Sequence, residues 1–200
     1  MIDQQDFDVF KDPTLAGRLA LIRSQVDPKF EQIGARYATQ FTQQSQFQFY
    51  VHIAKHLRRH KNPPPDTWLA IGEGKRGYKM LPHFEIGLWP NALFIWLAYL
   101  AEVDEKPAHA AKLMTLPKRY PDLATSGLML AQDHTQPSSV PFTDANFQRI
   151  QARFSKTKAG EFLIGRLVPL DSEIFSDGHK QQQLLDQTMA QLFQLYLVLR

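Results

Sequence analysis

Three histidines and seven cations crowd into one short stretch of this 200-residue chain. Lys55, Arg58, Arg59, Lys61, Lys75, Arg76 and Lys79 lie between His52 and Lys79, against only Asp66 and Glu73. His52, His56 and His60 fall in the same window, and His83 follows it. The window carries +5, the whole chain only +3, so the remainder is slightly acidic. Such a segment is suited to an anion. Lys55, Arg58, Arg59, Lys75, Arg76 and Lys79 would supply charge to a phosphate, and Trp68 and Tyr78 could stack on a planar ring. The same cations also fit a solvated basic face.

The histidines raise two further possibilities. His52, His56 and His60 are spaced four apart, and on a helix they would share one side, as zinc-binding pairs do. Ile53 stands where a metalloprotease-type motif would place Glu, and no carboxylate is spaced to add a ligand, so no metal is expected. On that helix Lys55 and Arg59 would be neighbours and repel. His56, His83, Glu85, Asp133 and His134 are the candidates for acid–base chemistry. His83 and Glu85 share one face of a predicted strand, as an oriented base or an ordinary surface pair. Asp133 and His134 are adjacent, end a predicted strand and need not pair.

Other signatures exclude more than they suggest. Gly74-Lys75-Arg76-Gly77 matches the GxxG loop of KH domains, but it joins predicted strands where that loop joins helices. A glycine turn with basic flanks can still offer N–H groups to a phosphate. There is no Walker loop and no Rossmann fingerprint. Ser138 and Ser139 lack a nucleophile-elbow context. The chain has no Cys, which removes disulfides, Cys-ligated metals and Cys nucleophiles. No cofactor is expected.

The elements that must position these groups follow from patterning. Asp12-Pro13 and Asp27-Pro28 predict two helix starts, each with Asp as N-cap and Pro first in the helix. Leu15, Leu19, Ile22 and Val26 then recur at helical spacing, as do Phe30, Ile33, Tyr37 and Phe41. Phe7 and Phe10 predict a leading helical turn. Phe47–Val51 is β-prone, Pro63-Pro64-Pro65 forms an extended connector, and Trp68–Ile71 reads as a strand. His83–Leu88 alternates, with Phe84, Ile86 and Leu88 on one face. Pro90-Asn91 is turn chemistry, and Leu93–Leu100 is apolar on both faces. The two segments should pair as an antiparallel hairpin in the centre of a sheet.

Pro107–Arg119 is predicted helical and Leu128–Ala131 extended. Thr143 should cap a helix carrying Phe147, Ile150 and Phe154. Phe162–Val168 predicts a strand ended by Pro169, and Leu185, Met189, Leu192, Tyr196 and Leu199 form the stripe of a C-terminal helix. Hydrophobic content of 44% and charged content of 22% are ordinary globular values. The expectation is one α+β domain over 1–200, with a mostly antiparallel central sheet and helices from both chain ends packed on it. The N-terminus is acidic and polar, unlike a signal peptide, and the longest apolar run, Ala92–Ala101, is too short to span a bilayer. A cytoplasmic monomer without membrane contact is therefore expected.

The segments HIAKHLRR, NPPPDTW, KRGYK, PHFEIGLW and DHT, with the opening DFDVF, occur in one order over essentially the whole chain. In this the sequence resembles the YktB-like family of small cytoplasmic bacterial proteins, found mainly in Gram-positive lineages. His52, Lys55, His56, Arg58 and Arg59 fall on the first motif, and Lys75, Arg76, Gly77, Tyr78 and Lys79 on the KRGYK motif. His83 falls on the PHFEIGLW motif, Asp133 and His134 on the last. His60 and Gly74 lie outside these motifs. The resemblance implies a single α+β domain and no particular activity. Three functions remain in order: a binding protein for a nucleotide, phosphometabolite or single-stranded nucleic acid; an enzyme acting on an anionic substrate; an adaptor with a basic protein-binding face.

Overall fold

A computed structural model describes residues 1–200. The chain builds a seven-stranded sheet: β1 (Tyr50–Ile53), β2 (Thr67–Gly72), β3 (His83–Trp89), β4 (Ala92–Tyr99), β5 (Met129–Ala131), β6 (Val140–Pro141) and β7 (Phe162–Pro169). The spatial order is β1-β2-β3-β4-β7-β5-β6, and every neighbouring pair is antiparallel. The expected hairpin forms: β3 and β4 occupy the middle of the sheet, with Trp89 opposite Ala92 across the Pro90-Asn91 turn. This is a single α+β domain with N- and C-terminal helices packed against the sheet.

The period of two in these strands creates two unlike faces. One face presents Leu69, Ile71, Phe84, Ile86, Leu88, Leu93, Ile95, Leu97 and Tyr99 to a continuous 43-residue hydrophobic core. Three helices cover it: α2 (Asp27–Gln44) over β1 and β2, α5 (Asp144–Lys156) over β5 and β7, and α6 (Gly178–Leu199) over β4 and β7. The other face carries a smaller cluster containing Phe94 and Trp96. Phe94 lies opposite Gly87 and Trp96 opposite Gly165. A Cβ at Gly87 would strike the Phe94 ring, so glycine lets that ring lie flat on the strands. The same face carries His83 and Glu85.

Several local expectations are corrected. Thr14, not Asp12, caps α1 (Leu15–Leu21), its hydroxyl accepting from Gly17 N–H, while Asp12 accepts from Thr14. No break occurs at Asp27-Pro28. A wide turn over Ile22–Val26, in which Asp27 N–H donates to Ile22 C=O, joins α1 to α2 in one continuous helical rod. Such a π-type turn accommodates the donor that Pro28 lacks. The predicted helix over Pro107–Arg119 splits into α3 (Lys106–Leu113) and α4 (Leu116–Arg119), with the Thr115 hydroxyl donating to Lys112 C=O at the break. Both Leu113 and Leu116 still face the core.

The basic segment does not form the helix on which a shared histidine face would depend. His52 lies on β1, and the chain then turns, with His56 in the left-handed region at φ 50°. His60 is exposed. The histidines therefore share no helix face, and the helical repulsion between Lys55 and Arg59 does not arise. Tyr50–Ile53 instead gains strand partners from Leu69–Gly72, and Leu57 is left exposed.

Candidate functional site

The polar ends of the second face and the loops beyond it enclose a cavity of about 760 Å³. Lys55, Arg58 and Arg59 enter from the turn after β1, and Arg76, Tyr78 and Lys79 from the loop between β2 and β3. Trp68, Asp66, His134 and Glu102 also line it, as do His52 and His56. Thus the two basic clusters border one space. Lys75 does not line it and is exposed. His83 and Glu85 lie beneath, sealed from solvent.

Long-range ties hold these loops. Arg18 Nη1 donates to Pro64 C=O at 2.8 Å, fastening the proline connector to α1 just before Asp66. In the β2–β3 loop, Glu73 takes hydrogen bonds from the Tyr196 hydroxyl and Arg200 at the chain's end. His52 Nε2 lies 2.8 Å from Gly74 C=O. Trp68 Nε1–H donates to the Tyr78 hydroxyl at 2.9 Å, fixing both rings at the cavity wall. Burial, aided by the charge of Glu85, raises the Tyr78 phenol to about 12, so it stays protonated.

The histidines have separate duties. His56 Nε2 is 3.3 Å from the Thr67 hydroxyl, and its ring meets Trp68 edge-on. Burial, then the charges of Arg59 and Arg23, lower its pKa to about 4, so it is neutral near pH 7. His83 is wholly buried, with Nδ1 2.7 Å from Leu81 C=O and Nε2 3.1 Å from Glu85 Oε1. Both ring nitrogens face acceptors. The pair is buried, not the surface pair that the sequence also allowed.

His134 differs. Its backbone N–H donates to Glu161 Oε2 at 2.8 Å, and its Nδ1 lies 2.9 Å from both Glu161 oxygens. Glu161 lies just before β7 and is only 6% exposed. Nδ1 is thereby committed, and Nε2 has no protein partner on a residue that lines the cavity. Burial opposes charge on this imidazole, but the hydrogen bond and charge of Glu161 outweigh it and raise the pKa. Asp133 instead accepts from the Thr135 N–H and hydroxyl. Donor atoms of Asp133, His134 and Glu161 lie within 4.8 Å of one another. Their hydrogen bonds already engage Glu161 with His134, and the arrangement is that of an oriented imidazole.

Asp66, 7% exposed, is the remaining acid of interest. Burial raises its pKa to about 6, against the opposing charges of Arg59 and His134. Sequence reading passed over both Asp66 and Glu161. Asp66 follows the proline run directly, which placed it at the mouth of the basic segment. Glu161 stood just before a clear strand, 27 residues from its partner, with no local signal of the pairing.

The comparisons with known proteins agree over nearly the whole chain. The family described as "Domain of unknown function (DUF1054)" matches residues 2–196. A UPF0637 protein of Latilactobacillus sakei is 39% identical over 196 residues, covering 98% of this chain and 97% of that protein. A UPF0637 protein of Lactiplantibacillus plantarum is 41% identical over 198 residues, 98% of this chain and 94% of that protein. No helix is long and apolar enough to cross a membrane. Match and coverage together place this chain in the DUF1054/UPF0637 family of bacterial proteins, the YktB-like family its motifs resemble.

Proposed function

We propose that the cavity binds a phosphate-bearing small molecule with a planar ring, of the nucleotide class. One observation carries this reading. Lys55, Arg58, Arg59, Arg76 and Lys79 border one cavity, and none forms an ion pair. Several cations elsewhere are engaged: Lys29 by Asp3 and Asp6, Arg36 by Asp186, Arg200 by Glu73, and Lys106 by three carbonyls. Others, such as Lys118 and Lys158, are unpaired but scattered, whereas these five gather at one recess. Five cations against two lining carboxylates give the recess a positive potential that favours an anion.

Shape favours a small molecule over a protein partner. A recess of about 760 Å³ falls within the ordinary range of ligand sites, whereas an acidic protein would be met by a flatter face. Trp68 and Tyr78 supply fixed aromatic surfaces for the ring, and the guanidinium groups suit phosphate oxygens. The experiment is a fluorescence titration with ADP. Trp89 and Trp96 are buried on the sheet, so the expected quench should vanish in Trp68→Phe. Calorimetry on that variant then separates a lost signal from lost binding. No heat and no quench at millimolar ADP would refute the reading.

A further inference from the structure

We propose that the cavity hydrolyses the phosphoester it binds, with His134 as proton donor to the leaving oxygen and Asp66 as proton acceptor from the attacking water. This rests on the phosphate-binding reading and extends it from binding to chemistry.

Elimination among the histidines leads to His134, and of the two lining carboxylates Asp66 is buried and Glu102 exposed. The His52 ring is tied to Gly74 C=O. His56 is held against Thr67 and carries no proton to give near neutral pH. His83 is sealed below with both nitrogens engaged. Only His134 combines a place on the cavity wall, an Nδ1 locked by a buried carboxylate and an Nε2 free of protein partners. That is the arrangement by which a carboxylate orients an imidazole for proton transfer. Asp66 lines the same cavity, and no other side chain donates to its carboxylate. Glu161, Glu85 and Lys79 are the charged groups acting on His134; Arg59, His134 and Glu85 are those acting on Asp66. Acid and base thus sit in different fields within one space, as acid–base division requires.

The step balances. The water oxygen bonds to phosphorus as one water proton passes to the Asp66 carboxylate. The bond from phosphorus to the ester oxygen breaks, its electron pair stays on that oxygen, and the Nε2 proton of His134 neutralises it. Alcohol and inorganic phosphate leave. Asp66 then returns its proton to solvent and His134 regains one. The unpaired arginines and lysines of the rim stabilise the charge gathering on the phosphoryl oxygens.

The test uses two esters that differ in their need for an acid. The alkoxide leaving from adenosine 5′-monophosphate requires a proton; the phenolate leaving from p-nitrophenyl phosphate does not. His134→Gln should lower kcat on the nucleotide by about 10²–10⁴-fold, and on the nitrophenyl ester by less than about tenfold. Glu161→Gln, a positioning change, should show the same bias to a smaller extent. Asp66→Asn should lower turnover of both esters alike. Melting temperatures confirm that each variant is folded. If the wild type binds the nucleotide by calorimetry but releases phosphate from neither ester, the hydrolytic proposal is overturned and the binding reading stands. Equal losses on both esters in His134→Gln would also overturn it. If the wild type binds neither the nucleotide nor inorganic phosphate, the binding reading fails and this proposal with it.

Discussion

The two faces of the sheet are built from the same strands on opposite principles. On the helix-covered face, Phe41, Phe84 and Phe193 pack ring on ring within a 43-residue hydrophobic core. On the other, the same β3 that supplies Phe84 and Ile86 also supplies His83 and Glu85. Beyond them the loops gather five unpaired cations around a cavity. The first face secures the fold by apolar burial. The second carries desolvated polar groups and mutual repulsion, both of which cost stability. That division locates function where the chain departs from the cheapest packing.

The contrast can be broken most readily in the core. Phe41 is fully buried and stacks on Phe193 at 4.2 Å. Phe41→Ala should cost about 3–5 kcal/mol in urea unfolding, and a loss under 1 kcal/mol would show that this face does not dominate stability. On the second face, His83→Leu strands the Glu85 carboxylate and should cost nearly as much, about 3–5 kcal/mol. The double variant His83→Leu/Glu85→Leu should recover most of that loss, since no buried charge is left unpaired. A double variant as unstable as the single one would mean that the pair stabilises the fold in its own right.

A smaller effect sharpens the comparison through pH. Asp66 has a folded pKa raised to about 6 from an ordinary 3.8. The folded state therefore holds this proton more tightly than the unfolded chain. Its contribution favours folding below pH 3.8 and is lost as pH rises through 6. Asp66→Asn should accordingly stabilise the protein at pH 7, by up to about 3 kcal/mol, and give no gain at pH 3.5. Equal stabilisation at both pH values would mean that the charge of Asp66 is not the cause. Smallest of all, Arg59→Ala/Arg76→Ala should change stability by less than about 0.5 kcal/mol, because both side chains are exposed and neither makes a hydrogen bond or ion pair. A drop of 2 kcal/mol in the same unfolding assay would show that these cations are structural.

What could be read in advance follows the same division. The β3–β4 hairpin was legible because alternation, a two-sided apolar run and a Pro-Asn turn lie within eighteen residues. The stripe of α6 was legible for the same local reason. Whether His52–His60 would share a helix face was not legible, because β1 is fixed by pairing with β2, which lies beyond the local sequence. α2 does begin at Asp27-Pro28, but Asp27 does not cap it, because a π-type turn carries α1 straight into α2. At the cavity, charge arithmetic found the cations, since charge is a property of composition. The His134–Glu161 contact joins two loops that only the folded sheet brings together.

The central claim is that unpaired cations make the cavity an anion site. Its most direct test is calorimetry of ADP binding from low to high salt, with wild type and Arg59→Ala/Arg76→Ala side by side. Affinity should fall steeply with salt in the wild type, and in the variant it should start lower and fall less steeply. Wild-type affinity indifferent to salt, or identical salt dependence in both proteins, would contradict the account.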